Sequence, residues 1–149
     1  MPVDPALAGR TFPPTAPYEV GREKIREFAD AIGDPNPIYR DAEAAKRLGH
    51  PDVIAPPTFP IVVSMEVSER VWSDPALGID YSRVVHGDQR FVHTRPIVPG
   101  DRLVARLTIE SVQSRAGHDF VSTRADLATE IGEPVVTAYS TIVVRGPEA

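Results

Sequence analysis

Four histidines, a Gly33-Asp34-Pro35-Asn36-Pro37 segment and the absence of cysteine bound the chemistry open to this chain. Histidine, with an unperturbed pKa of roughly 6.5, is the side chain best suited to moving protons near neutrality. His86, between Val85 and Gly87 at the head of a strand-like run, is the strongest imidazole candidate. Its plainer reading is a strand-end histidine satisfied by backbone. A metal pair with His93 is disfavoured, because residues seven apart on a regular strand point to opposite faces. His50 and His118 fall in loop-like contexts and are expected to be exposed. Asp34 could handle a proton or a water. An Asp between Gly33 and Pro35, and an Asn36 before Pro37, are equally routine turn formers. Asp41 is placed to cap a helix.

Several function classes drop out. Without cysteine there is no disulfide, thiolate metal site or cysteine nucleophile. No Gly-x-Ser-x-Gly, dinucleotide or Walker-type glycine motif is present, which removes serine hydrolases and nucleotide enzymes. A formal charge of −5 without a Lys/Arg cluster argues against a nucleic-acid partner. The longest apolar stretches, such as Phe59–Met65, are too short to span a bilayer. The opening Met1-Pro-Val-Asp-Pro-Ala lacks a basic region followed by an apolar one, so a cytoplasmic protein is the default expectation. No metal and no cofactor are expected.

The elements that must position these residues follow from periodicity. At 149 residues the chain fits one domain, 1–149. Eleven of its 16 prolines lie in the first 60 residues, leaving the second half free to run as strands. Residues 1–17, with five prolines, read as an arm on the surface, and Tyr18–Val20 as a short strand. Ile25, Phe28, Ala29 and Ile32 recur at helical spacing over 22–32. The prolines at 35 and 37 forbid continued helix. Asp41 opens a second short helix that Gly49 closes. Thr58 is placed as N-cap of a helix over 59–72, with Pro60 in its first turn and a nearly all-apolar opening half. Strands are predicted over 84–95, from 103 with a bulge or bend near Ser111-Val112, over 120–128, and over 135–144. The sum is an α+β arrangement: an antiparallel sheet around one buried helix.

One stretch carries a resemblance. Gly33-Asp34-Pro-Asn36-Pro37-Ile-Tyr39-Arg-Asp41 resembles the Gly-Asp-x-Asn-Pro-x-His-x-Asp signature of MaoC-like hydratases and dehydratases, with tyrosine at the histidine position. Ala55-Pro-Pro-Thr58, Val85-His-Gly-Asp-Gln-Arg-Phe91 and Arg95-Pro-Ile-Val-Pro-Gly-Asp101 fall in family order as well. The chain looks like the N-terminal-type MaoC domains, and more narrowly like the non-catalytic subunit of an actinobacterial heterodimeric (3R)-hydroxyacyl-ACP dehydratase. That resemblance implies a hot-dog fold, a dimer joining two sheets, and an acyl-ACP or acyl-CoA thioester substrate. It also implies an acyl-chain groove beside the buried helix, with Pro57, Thr58, Phe59, Val62 and Val63 as candidate lining residues. The apolar members of that set are core residues first, and Phe91 and Tyr139 could face either the interior or a partner.

Dehydrating a 3-hydroxyacyl thioester requires a base for the proton α to the carbonyl, donors for the enolate oxygen and an acid for the departing hydroxyl. In the family the histidine is the base and the aspartate helps handle the water. A helix N-terminus can supply N–H donors. A phenol with an ordinary pKa of about 10 would need about 4 kcal/mol of help to accept a proton at neutrality. The degenerate set Asp34, Asn36 and Tyr39 therefore predicts a subunit that relies on a catalytic MaoC-like hot-dog partner, or forms a homodimer in its absence. Two alternatives stand beside this: a homodimeric dehydratase or thioesterase using Asp34 or His86, and a non-enzymatic acyl-thioester-binding module.

Overall fold

The sheet comes almost wholly from the proline-poor second half of the chain. The computed structural model describes residues 2–147. Met1, Glu148 and Ala149, the ends of the expected domain, lie outside the described residues. In order, the elements are β1 (Tyr18–Glu19), α1 (Arg22–Ala31), α2 (Ala42–Arg47), α3 (Ile61–Trp72), β2 (Val84–His93), β3 (Arg102–Arg115), β4 (His118–Thr129) and β5 (Pro134–Val144). Four one-turn 3-10 helices punctuate them, at Pro5–Leu7, Pro37–Tyr39, Pro75–Leu77 and Tyr81–Arg83. Each opens on an Asp or Asn (Asp4, Asn36, Asp74, Asp80) whose side chain accepts the N–H two residues on.

The strands form one antiparallel sheet in the order β1-β3-β4-β5-β2, curled around α3 in the hot-dog arrangement. Along β3, Leu103, Ala105, Leu107 and Ile109 are buried, and β4 answers with Val121, Thr123, Ala125 and Leu127. Phe59, Val63, Val67 and Val71 recur every four residues toward that face, and none is more than 1% exposed. Phe59 also meets Phe28 edge-on, with ring centroids 5.5 Å apart. Among the described residues no helix is long and apolar enough to cross a membrane.

Local expectations change in four places. Thr58 does not cap α3. Pro60, with its ring-fixed φ of −54°, is the cap, and the Thr58 carbonyl rather than its hydroxyl takes the Ile61 N–H at 3.2 Å. The bulge in β3 falls at Glu110, one residue before the predicted position. A second bulge, at Gly87, interrupts the register of β2 between His86 and Asp88. It places His86 opposite Ile142 and His93 opposite Val136, which lie on the same face of β5, so the two histidines are not on opposite faces. The proline-rich arm is docked and partly buried: Val3, Phe12 and Thr15 are buried, and Gly9, Phe12 and Thr15 donate N–H bonds to Ile109, Leu107 and Ala105.

The arm and β1 together cover the outer edge of β3. The outer edge of β2 pairs with nothing among the described residues. The junction below β2 is tied by Arg95, which grips Asp101 through two bonds of 2.8 and 3.0 Å and reaches Glu133 at 2.8 Å.

The Phe59 side chain is fully enclosed, so Phe59→Ala should cost about 3–5 kcal/mol by urea denaturation. Ile131→Ala, at an 88% exposed position, should stay within about 0.5 kcal/mol of the parent. Equal effects at the two positions would contradict the packing described.

Candidate functional site

The Gly33–Asp41 segment is held as a rigid turn between α1 and α2. Asp34 Oδ1 accepts the Asn36 N–H at 3.0 Å, and Asn36 Oδ1 accepts the Ile38 N–H at 3.1 Å. Asp41 caps α2 through the Glu43 N–H at 2.9 Å. One guanidinium ties the turn to α1. Arg40 donates to Asp30 Oδ1 at 3.2 and 2.7 Å, to the Asn36 carbonyl at 2.9 Å and to the Asp34 carbonyl at 2.6 Å. The bond from Arg40 holds the Asp30 carboxyl below the usual carboxylate range. Sequence reasoning missed Arg40, since no spacing rule links it to an acid ten residues upstream.

Tyr39 sits within this turn at 6% exposure, and its phenol oxygen makes no hydrogen bond to another described residue. Burial pushes the phenol above its ordinary value, and the charge of Asp34 adds to the effect. The positive neighbour Arg40 spends its donors on Asp30 and the turn carbonyls. The phenol can donate a hydrogen bond, and its surroundings favour the protonated form.

The start of α3 is equally occupied. Phe59, Ile61, Val62 and Val63 donate their N–H groups to Pro56, Thr58, Phe59 and Pro60 at 2.9–3.2 Å, and Pro60 has none to give. From Thr58 to Ser64, only the Thr58 N–H lacks a partner among the described residues. An oxyanion arriving there would find one free donor.

A cavity of about 230 Å³ opens elsewhere, between α3 and the inner face of β4, β5 and β2. A packing defect able to hold one water needs only about 10–15 Å³, so this is space for a ligand. It exists because small residues face each other: Ser64 and Ser68 on α3 lie over Thr123, Ala125, Ala138 and Ser140. Met65, Glu69 and Tyr81 rim its open side. His86 and Gln89 reach it from β2.

The His86 Nε2 lies 2.9 Å from the Asp88 carbonyl and 3.4 Å from Ser140 Oγ. A carbonyl only accepts, so Nε2 carries the proton and the lone pair is on Nδ1. Ser140 therefore has no base at Nε2, and any proton uptake by His86 would occur at Nδ1. His93 Nε2 donates to the Pro57 carbonyl at 2.8 Å, fixing the loop before α3. Among the described residues no cluster of groups suits a metal ion.

The sequence candidates are thus separated in space. His86 lines the cavity, while Asp34, Asn36 and Tyr39 lie in the turn and are not part of its wall. Phe59 and Val63 face the core, Val62 is half-buried, and Pro57 and Thr58 are exposed. The α3 residues on the cavity are instead Ile61, Ser64, Met65, Ser68, Glu69 and Trp72. The pair of serines four apart, among the apolar residues of the first two turns, was the signal available for that face.

Comparison with known proteins agrees with the fold. A family model described as FAS1-like, dehydratase domain region, matches residues 6–138. The UPF0336 protein SCO4636 of Streptomyces coelicolor is 58% identical over 148 residues, 99% of each chain. A chain in the crystal structure of the C-terminally truncated HadBC (3R-hydroxyacyl-ACP dehydratase) complex from Mycobacterium tuberculosis is 36% identical with a TM-score of 0.81, covering 92% of this chain and 96% of that one. A structure described as MaoC-like dehydratase, 33% identical with a TM-score of 0.86, covers 95% of this chain and is itself 43% covered.

The Tyr39 phenol should titrate above pH 10.0. Phenolate absorbance of the parent minus that of Tyr39→Phe isolates this group. A difference appearing near neutrality would overturn the assignment of Tyr39 as a protonated phenol.

Proposed function

The chain belongs to the FAS1-like dehydratase-domain family, and on that premise we propose that it is the non-catalytic subunit of a (3R)-hydroxyacyl thioester dehydratase of fatty-acid elongation. In this reading it shapes the acyl-chain tunnel for a hot-dog partner that carries an intact Asp…His pair. The single observation that carries the proposal is Tyr39: a buried phenol, driven further toward its protonated form, at the position of the base.

Three observations support it. The N–H groups of the α3 start are spent on turn carbonyls, leaving little to stabilise an enolate oxygen. The β2 edge is open, its backbone groups unpaired by any described strand and Val85 41% and Val92 47% exposed beside Asp88 and Arg90, and an open edge can pair with another strand. A related chain comes from a structure described as a complex. The acyl chain, on ACP or CoA, would lie in the cavity beside α3, and the partner's histidine would take the proton from C2 as the C3 hydroxyl leaves as water.

The cavity position of His86 favours a second reading, a self-sufficient dehydratase or thioesterase with His86 Nδ1 as base. The two are separated by assaying hydration of crotonyl and longer trans-2-enoyl thioesters. The lone full-length protein should run at least about a hundredfold below its complex with a hot-dog protein bearing an intact Gly-Asp-x-Asn-Pro-x-His motif, the scale of a lost general base. Within that complex Tyr39→Phe should change kcat by no more than about twofold, because the phenol transfers no proton. Brisk turnover by the lone protein, abolished by His86→Ala, would establish the second reading in place of the first.

A further inference from the structure

The cavity beside α3 has an apolar frame, with Ile61, Trp72 and Ile142 among its walls. A plain alkyl chain would need nothing more. Yet Ser64 lines it too, at 4% exposure, and its hydroxyl makes no hydrogen bond to any described residue. Ser68, one turn on, behaves as helix serines usually do, donating to the Ser64 carbonyl at 2.9 Å. Ser64 does not bond back to its own turn. No sealed side-chain oxygen or nitrogen among the described residues lacks a partner, so the Ser64 hydroxyl opens into the space it lines. On the β2 wall of the cavity, the half-buried Gln89, register partner of Ser140, has a side-chain amide likewise without a partner among the described residues.

Alanine at position 64 would favour the helix and would suit an apolar chain better. A buried hydroxyl and an amide, both left free around a ligand-sized space, fit a ligand that brings its own hydrogen-bonding atom. We infer that the cavity is built for an acyl chain bearing an oxygen beyond C3, a hydroxyl or a ketone, held between Ser64 and Gln89. The inference rests on the acyl-thioester reading above and narrows its substrate class from alkyl to oxygenated chains.

The test uses isothermal titration of the full-length chain, alone and with its hot-dog partner. The probes are the N-acetylcysteamine thioester of decanoic acid and those of the hydroxydecanoic acids, with the hydroxyl moved along the distal half of the chain. At one or two positions the hydroxylated probe should bind about tenfold more tightly than decanoyl, the factor that one satisfied buried hydrogen bond supplies. Ser64→Ala or Gln89→Leu should reduce that advantage, taken as the ratio of hydroxylated to decanoyl affinity in the same variant, to about twofold or less. If decanoyl binds at least as well as every hydroxylated probe, the inference is overturned and the acyl-thioester reading stands. If the preference persists in both variants, it is overturned as well. If no probe binds in either form, the acyl-thioester reading falls with it.

Discussion

Everything in this molecule is arranged around the contact between α3 and the inner face of the sheet. Phe59, Val63, Val67 and Val71 form a single apolar ridge that presses on Leu103, Leu107, Ile109 and Leu127. Burying side chains of this size is worth about 1.5–3 kcal/mol each before entropy is charged, so the ridge sets where the sheet must curl. Once the ridge is fixed, the helix's adjacent face has no choice of neighbour. Where that face carries Ser64 and Ser68 and the sheet carries Ala125, Ala138 and Ser140, the two surfaces cannot meet, and the cavity results.

The same contact distributes the chemistry. It leaves the Gly33–Asp41 turn outside the cavity, fastened by Arg40 to α1. The polar side chains of that turn are committed to structure. Asp34 and Asn36 hold their own backbone, Asp41 holds α2, and Arg40 binds the turn carbonyls to α1. Tyr39 is the exception, and its environment favours the neutral phenol. A turn kept as architecture, with a phenol where the family resemblance implies a histidine, agrees with the proposed role of shape and surface. The outer edge of β2 pairs with nothing among the described residues, whereas the docked arm and β1 cover the opposite edge of the sheet.

Much of this was legible from residue order. The buried stripe of α1 at Ile25 and Ala29, the turn at Asn36, the cap at Asp41, the burial of Phe59 and Val63 and the alternation of β3 all follow from local rules that tertiary structure did not override, whereas Met65, read as part of an enclosed half-helix, is 50% exposed. The hot-dog wrapping itself came from family resemblance, not from periodicity. What stayed hidden depends on pairing between distant segments. The Gly87 bulge reverses the facing of His86, and a glycine within a strand does not announce a bulge by itself. The arm reads as solvent-bound because prolines lack N–H groups, yet Gly9, Phe12 and Thr15 still supply enough to bond β3. The Arg40 clamp and the cavity between small residues are products of packing, invisible until the elements are placed together.

The proposed function makes this a chain that does not itself take a proton from the α carbon of a thioester. Solvent deuterium incorporation at C2 of a 3-hydroxyacyl thioester, followed by mass spectrometry, measures that event without relying on net turnover. No incorporation above background is expected with the lone protein, and ready incorporation once the hot-dog partner is added. Incorporation by the lone protein that disappears in Tyr39→Phe would contradict this, because the phenol would then be the base.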